Sequence, residues 1–316
     1  MLVAAAMLIP AAGACLIALS GRWPNLRETV TLTTAVLLFA DIIWLTPDVL
    51  AGGRPALDVL QIVPGLALAF EVEPLGMMFA LIASFLWIVN STYSIGYMRG
   101  NSEPRQTPFY VCFAVALSAT MGIAFAGNLF TLFLFYEVLT LSTYPLVVHK
   151  ADSDARTAGR VYLLLLLGSS IVLFLPGILW TLAIAGTLDF TAGGVLTGKA
   201  SPLQQVLLLG LFGYGIGKAA LMPLHRWLPA AMVAPTPVSA LLHAVAVVKA
   251  GVFSVVKIVV YILGVDTLAG TAGGDWLLYI AGATVIIASL IALQQDNLKR
   301  RLAYSTISQL SYVVLA

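Results

Sequence analysis

Glu137, Lys218, His243 and Lys249 are ionisable side chains set in stretches that are otherwise apolar. A charge at the centre of a bilayer costs about 2.5–3.5 kcal/mol even on insertion scales, so its presence there is a functional signal. Glu137 lies in GNLFTLFLFYEVLTLSTYPLV, with Thr140 and Tyr144 on the same helical face at i+3 and i+7. That polar face predicts an inward, hydrated position; the plainer reading is a neutral glutamic acid hydrogen-bonded for packing. Lys218 lies in GLFGYGIGKAALMPLHRWLP among Gly213, Gly215, Gly217, Ala219 and Ala220. Small residues allow close helix approach or room for water. A buried ammonium can hold or release its proton as a partner moves, which is what a relay needs; a snorkelling lysine at a span end is the alternative.

His243 and Lys249 share PTPVSALLHAVAVVKAGVF. Histidine both accepts and donates protons near neutral pH, and Ser239, one turn earlier, is placed to orient the ring. Six residues turn about 600°, so the two side chains diverge by about 120° on one helix. They suit successive stations better than a pair, although a lone membrane histidine also serves as a packing residue. Lys257 lies nearer its span end and reads as a weaker relay candidate or a snorkelling side chain. Pro223, Pro229, Pro235 and Pro237 crowd one region. Proline removes a helix hydrogen bond and clashes with the preceding turn, so the seventh span is predicted to be broken or re-entrant. His225 flanks that break with Arg226. Lys299 opens a basic run with Arg300 and Arg301, which reads first as a topology anchor.

The elements that position these residues are membrane helices. The chain has 316 residues, 60% hydrophobic and 9% charged, against about 25% charged in soluble domains. Long apolar runs predict an all-α polytopic transmembrane bundle of nine to ten spans rather than a barrel. We place them at 1–20, 30–50, 70–98, 108–126, 128–148, 160–185, 203–224, 237–264 and 276–294, with a tenth starting near Leu302. The first reads as a retained helix, because it lacks the basic start of a signal peptide. The tenth, ending at Ala316, is short for a crossing and reads as an abnormal end or a fragment.

Loop charges test the count. Odd-numbered loops hold Arg22, Arg27, Arg99, Arg105, Lys150, Arg156, Arg160, Arg226, Lys299, Arg300 and Arg301; even-numbered loops hold only Arg54 and Lys199. This asymmetry predicts cytoplasmic odd loops and an outside amino terminus. Cys15 and Cys112 lie in apolar runs with no ligand spacing. The sequence has no GxGxxG, Walker loop or CxxC, and His149 and His225 read as loop-proximal, against a bis-histidine haem. We therefore expect no cofactor, no bound metal and no nucleic-acid partner.

The segments EVEPLGMMFALI, YSIGYM, GNLFTLFLFYEVLTLSTYPLV, GKAALMPLHRWLPAAMVAPTPVSALLHAVAVVKAG and DNLKRRLAYSTISQLSYV resemble the antiporter-like subunits of respiratory complex I and of Mrp-type cation/proton antiporters. SALLHAVAVVKAG looks more like the Mrp side. The resemblance implies two inverted five-helix repeats, with an amino-terminal three-helix segment at 1–107, the first repeat at 108–264 and the start of an incomplete second repeat at 265–316. It implies that the family's lysine–glutamate pair falls on Lys218 and Glu137, the next relay position on His243 with Lys249 close by, a basic position on Lys299 and the helix break at Pro223. Function would be translocation of H⁺, with Na⁺ as a further candidate ion, beside other membrane subunits in a bacterial-type inner membrane. Two rival expectations stand: a proton-pumping subunit of an NADH:quinone oxidoreductase or membrane hydrogenase, holding no redox centre of its own, and a truncated scaffold.

Overall fold

The structure is a computed structural model that describes residues 1–63 and 66–316. Among the described residues ten helical spans follow one another in antiparallel order. They are α1 (Leu2–Leu19), α2 (Pro24–Leu50), α3 (Pro74–Gly100), α4 (Gln106–Ala124), α5 (Leu129–Val147), α6 (Ser153–Ala185), α7 (Pro202–Gly215), α8 (Thr236–Leu263), α9 (Trp276–Leu293) and α10 (Leu298–Leu315). Eight of them are long and apolar enough to cross a membrane; α7 and α10 are not. The chain is an all-α multi-pass membrane bundle, as its composition predicts.

Proline opens α2, α3 and α7, where its missing N–H leaves nothing unpaired. Asn128, Asp152, Ser201 and Asn297 cap α5, α6, α7 and α10 through side-chain oxygens. In lipid those terminal amides have no water to turn to, so the caps matter more than in a soluble protein. The α2 helix begins earlier than expected: Arg27 and Glu28 lie inside it and are buried. The α6 helix also begins earlier, at Ser153, so Arg156 and Arg160 ride on its first turns.

The connection between α2 and α3 contains an element that the apolar runs alone do not foretell. Strands β1 (Ala56–Val63) and β2 (Leu66–Glu71) pair antiparallel into a hairpin, and the third span starts at Pro74 rather than at 70. The hairpin is tied to other connections on its side of the bundle. Glu71 N–H donates to the Phe125 carbonyl at 2.8 Å, Gly127 N–H to Ala69 at 2.9 Å and Leu129 N–H to Leu188 at 2.9 Å. Val195 and Leu196 N–H reach Tyr261 and Ile262, each at 3.0 Å. These bonds join the second, fourth and sixth connections and the end of α8, and Thr197 meets Thr267 of the eighth at 2.8 Å, so the even-numbered connections gather on one face.

Two helices carry wide turns. π-Helical segments interrupt α6 at Ser170–Phe174 and α8 at Leu241–Val245, and a further one ends α8 at Val259–Leu263. Such turns recur at functional sites, because they redirect side chains and loosen the hydrogen-bond ladder.

Candidate functional site

The predicted break is real and centres on Lys218. The α7 helix stops at Gly215; Ile216 leaves helical geometry, a short 3-10 turn covers Gly217–Ala219, and Ala220 adopts a left-handed backbone (φ 56°). A non-glycine residue there stores strain that the surroundings must hold in place. Met222–Pro223 and the 3-10 turn Leu224–Arg226 follow. Pro223 therefore lies in the irregular segment, as expected of the break.

Breaking a helix inside a membrane exposes backbone groups that lipid cannot satisfy. Here side chains take them up. The Lys218 N–H donates to the Tyr136 hydroxyl at 3.1 Å, Trp227 Nε1 donates to the Gly217 carbonyl at 2.9 Å, and the Met222 N–H donates to Thr284 Oγ1 at 3.4 Å. Gly251 on α8 allows the closest approach: a Cβ there would run into the Lys218 and Ala219 backbone.

The Lys218 side chain is fully enclosed. Its ammonium donates to the Tyr136 carbonyl at 2.9 Å and to Thr140 Oγ1 at 2.5 Å, and sits 3.1 Å from the centre of the Tyr136 ring. These groups flank Glu137 on α5: Tyr136 precedes it and Thr140 is one turn on. Both Glu137 carboxylate oxygens are buried and have no hydrogen-bond partner among the described residues, and no Glu137–Lys218 contact lies within 4.0 Å. Lys218, in the break, thus meets α5 on either side of Glu137 without being joined to it. Ordered water is the ordinary partner for such orphaned oxygens.

The remaining candidates disperse. His243 sits in the π-turn of α8, its ring nitrogens 3.2 Å from Thr306 Oγ1 and 3.2 Å from Met232 Sδ. It precedes Gly251 by eight residues, a rise of about 12 Å, so it stands well along the helix from Lys218. Ser239 makes no hydrogen bond to the ring; its buried hydroxyl has no hydrogen-bond partner among the described residues. Lys249 is exposed. Two residues before Gly251, it is turned about 200° away from the face that meets the break. Lys299 reaches the Ala234 carbonyl at 2.8 Å and so ties the start of α10 to the segment leading into α8. His225 packs against Tyr304, ring centres 6.0 Å apart.

Lys257 departs from the snorkelling reading. It is 1% exposed and pairs with Glu73 at 2.8 Å. Sequence reasoning missed Glu73; its signal was the second carboxylate of EVEP directly before a helix start. It also missed Tyr136, which borders Glu137 and supplies carbonyl, hydroxyl and ring to Lys218. Among the described residues no group of His, Cys, Asp and Glu could hold a metal ion.

Residues 126–316 match the family described as NADH:quinone oxidoreductase/Mrp antiporter, transmembrane. The chain belongs to that family. It is 30% identical over 263 residues to NAD(P)H-quinone oxidoreductase chain 5 of Picosynechococcus sp., covering 79% of this chain and 38% of that protein. It is 31% identical over 264 residues to a Na(+)/H(+) antiporter subunit of Alkalihalophilus pseudofirmus, covering 80% and 31%. The chain thus spans about a third of the length of the curated relatives it matches. The fold matches a chain of the Mrp complex from Dietzia sp. DQ12-45-1b with a TM-score of 0.86 at 24% identity, covering 100% of this chain and 34% of that one. The match extends the resemblance in fold to α1–α4, ahead of the residues the family description covers.

Proposed function

We propose that this family member is a proton- or cation/proton-translocating membrane subunit in which Glu137 and Lys218 form the central switch. The observation that carries the reading is the enclosed Lys218 ammonium, held by neutral oxygens in a broken helix beside an unpartnered buried carboxylate. If Glu137 swings to Lys218, the lysine is held charged; if it withdraws, the ammonium keeps only dipoles and the ring face and its proton is released. His243, Lys249, Lys299 and His225 are further stations or gating residues, reached through intramembrane water. Two pieces frame the switch: an amino-terminal segment, 1–107, and a five-helix repeat, 108–264, with 265–316 opening the second repeat. The amino terminus faces outside, in a bacterial-type inner membrane, and other membrane subunits complete the path.

The antiporter reading is favoured by the relative named for Na(+)/H(+) antiport. A redox-driven proton pump is the second reading, favoured by the relative named NAD(P)H-quinone oxidoreductase chain 5. Lys218→Ala and Glu137→Ala should each abolish coupled ion flux in vesicles containing the assembled complex, with insertion unchanged. Wild-type flux in either variant would sink the reading. Co-purification with flavin or iron–sulfur subunits would select the second form of it.

A further inference from the structure

Lys257 and Glu73 form a second buried acid–base pair, on the hairpin side of the bundle. Besides the 2.8 Å contact with Glu73 Oε1, the Lys257 ammonium donates to the Ala126 carbonyl at 2.7 Å. The rings of Phe190 and Phe253 stand 4.6 Å and 5.6 Å from it. Glu73 is 4% exposed. The pair lies six residues beyond Gly251 on α8, a rise of about 9 Å, and so between the Lys218 break and the hairpin face. The exposed pair Arg54–Glu71, 3.3 Å apart, stands just outside it.

As a simple tie between α8 and the start of α3 this arrangement is uneconomical. Apolar side chains would join the two elements without desolvating two charges, and a buried ion pair often fails to recover that cost. The chemistry of the nest is more specific. Everything that faces the ammonium is an electron-rich acceptor: a carboxylate, a backbone carbonyl and two ring faces. Carbonyl and carboxylate oxygens replace the hydration shell of monovalent metal ions, and ring faces attract the same charge. Lys257 is in effect a tethered cation in a cation site.

We infer that Glu73 and Ala126 form an exchange site in which a monovalent metal cation replaces the ammonium of Lys257. The cation enters from the hairpin side and binds the Glu73 carboxylate and the Ala126 carbonyl, keeping part of its water. Lys257 passes one proton to water on that side and swings away as a neutral amine. One positive charge enters and one leaves, so the site stays neutral and nothing is oxidised or reduced. The other ionisable groups facing the pair are Glu71, Arg54 and the Tyr261 hydroxyl beside Glu73; the opposite charges of Glu71 and Arg54 cancel and Tyr261 stays neutral near pH 7, which leaves the exchange to Lys257. The inference rests on the transport reading and assigns its ion exchange to particular atoms.

The test uses the purified complex, melted in NaCl or KCl against N-methylglucamine chloride at equal ionic strength. The wild type should be stabilised by Na⁺ or K⁺ increasingly as pH rises, and should release protons when the cation is added to a weakly buffered sample. Lys257→Met should be stabilised equally at all pH values, without proton release. Glu73→Gln should weaken the apparent cation affinity at least about tenfold, the effect of losing a charged partner. The Na⁺ and K⁺ arms identify the ion. The inference is overturned if neither cation stabilises the wild type or Lys257→Met beyond N-methylglucamine. If Lys257→Met does not fold, absence of wild-type proton release overturns it equally. Coupled flux without cation-specific stabilisation would remove this site and leave the transport reading. Cation-specific stabilisation without coupled flux would do the reverse.

Discussion

Lys218 is held by a carbonyl, a hydroxyl and a ring, and each of these is a dipole or quadrupole rather than a countercharge. Such partners hold an ammonium loosely enough for a nearby carboxylate to decide its state. At the bundle end that carries the α5–α6 connection, His149 offers a simpler titration. Burial holds its imidazole below the ordinary value of 6.5, and Glu103, 3.9 Å away, only partly opposes this. The unfolded chain takes up a proton as pH falls through 6.5, while the folded protein resists until lower pH, so stability declines as pH drops below that value. His149→Gln should flatten the acid side of the melting-temperature profile; an unchanged slope would show that other groups set it. Glu137 and Lys218 were legible in the sequence because a charge inside an apolar run is conspicuous. Glu73 was not, and Lys257 stood out only as a weak candidate, because each lies near a span end, where charge is ordinary. Their pairing brings together α3 and α8, which no local pattern reveals.

At the scale of elements, the site depends on where helices are interrupted. The four prolines announced the broken α7, and the break occurs three residues before Lys218. What the prolines do not announce is the support around it: Tyr136, Trp227 and Thr284 take up the freed backbone, and Gly251 lets α8 lie against it. Gly251→Val should force the two backbones apart. Overpacking of this kind costs about 1–3 kcal/mol, so the variant should melt lower and lose coupled flux, while Gly96→Val, where an added Cβ meets nothing within 4 Å, should do neither. Equal melting temperatures for the two variants would contradict the close approach. The β-hairpin escaped the sequence reading for a different reason. ALDVLQIV and LALAFE are short apolar runs, and periodicity alone does not separate a short strand from the start of a membrane helix.

For the whole molecule, the alternation of basic residues and the alternation of helix direction agree. The basic side chains gather at one end of the bundle and the hairpin at the other, which argues for an outside amino terminus by the positive-inside rule. With the free Cys15 and Cys112 replaced by serine, a membrane-impermeant maleimide should label Gln61→Cys in intact cells and Asn101→Cys only after permeabilisation. The opposite pattern would invert the topology. The stitched connections on the hairpin side carry a consequence for biogenesis. The hairpin pairs its own strands first but finds its partners elsewhere in the chain only when residues 125–127 emerge, residues 127 and 129 find theirs at 188–190, and 195–196 wait for Tyr261 and Ile262. The face therefore closes in the order of synthesis, like a zip drawn from the amino-terminal end. A nascent chain halted before Lys257 would leave its Glu73 unanswered, a buried carboxylate with no cation beside it and a ready mark for quality control.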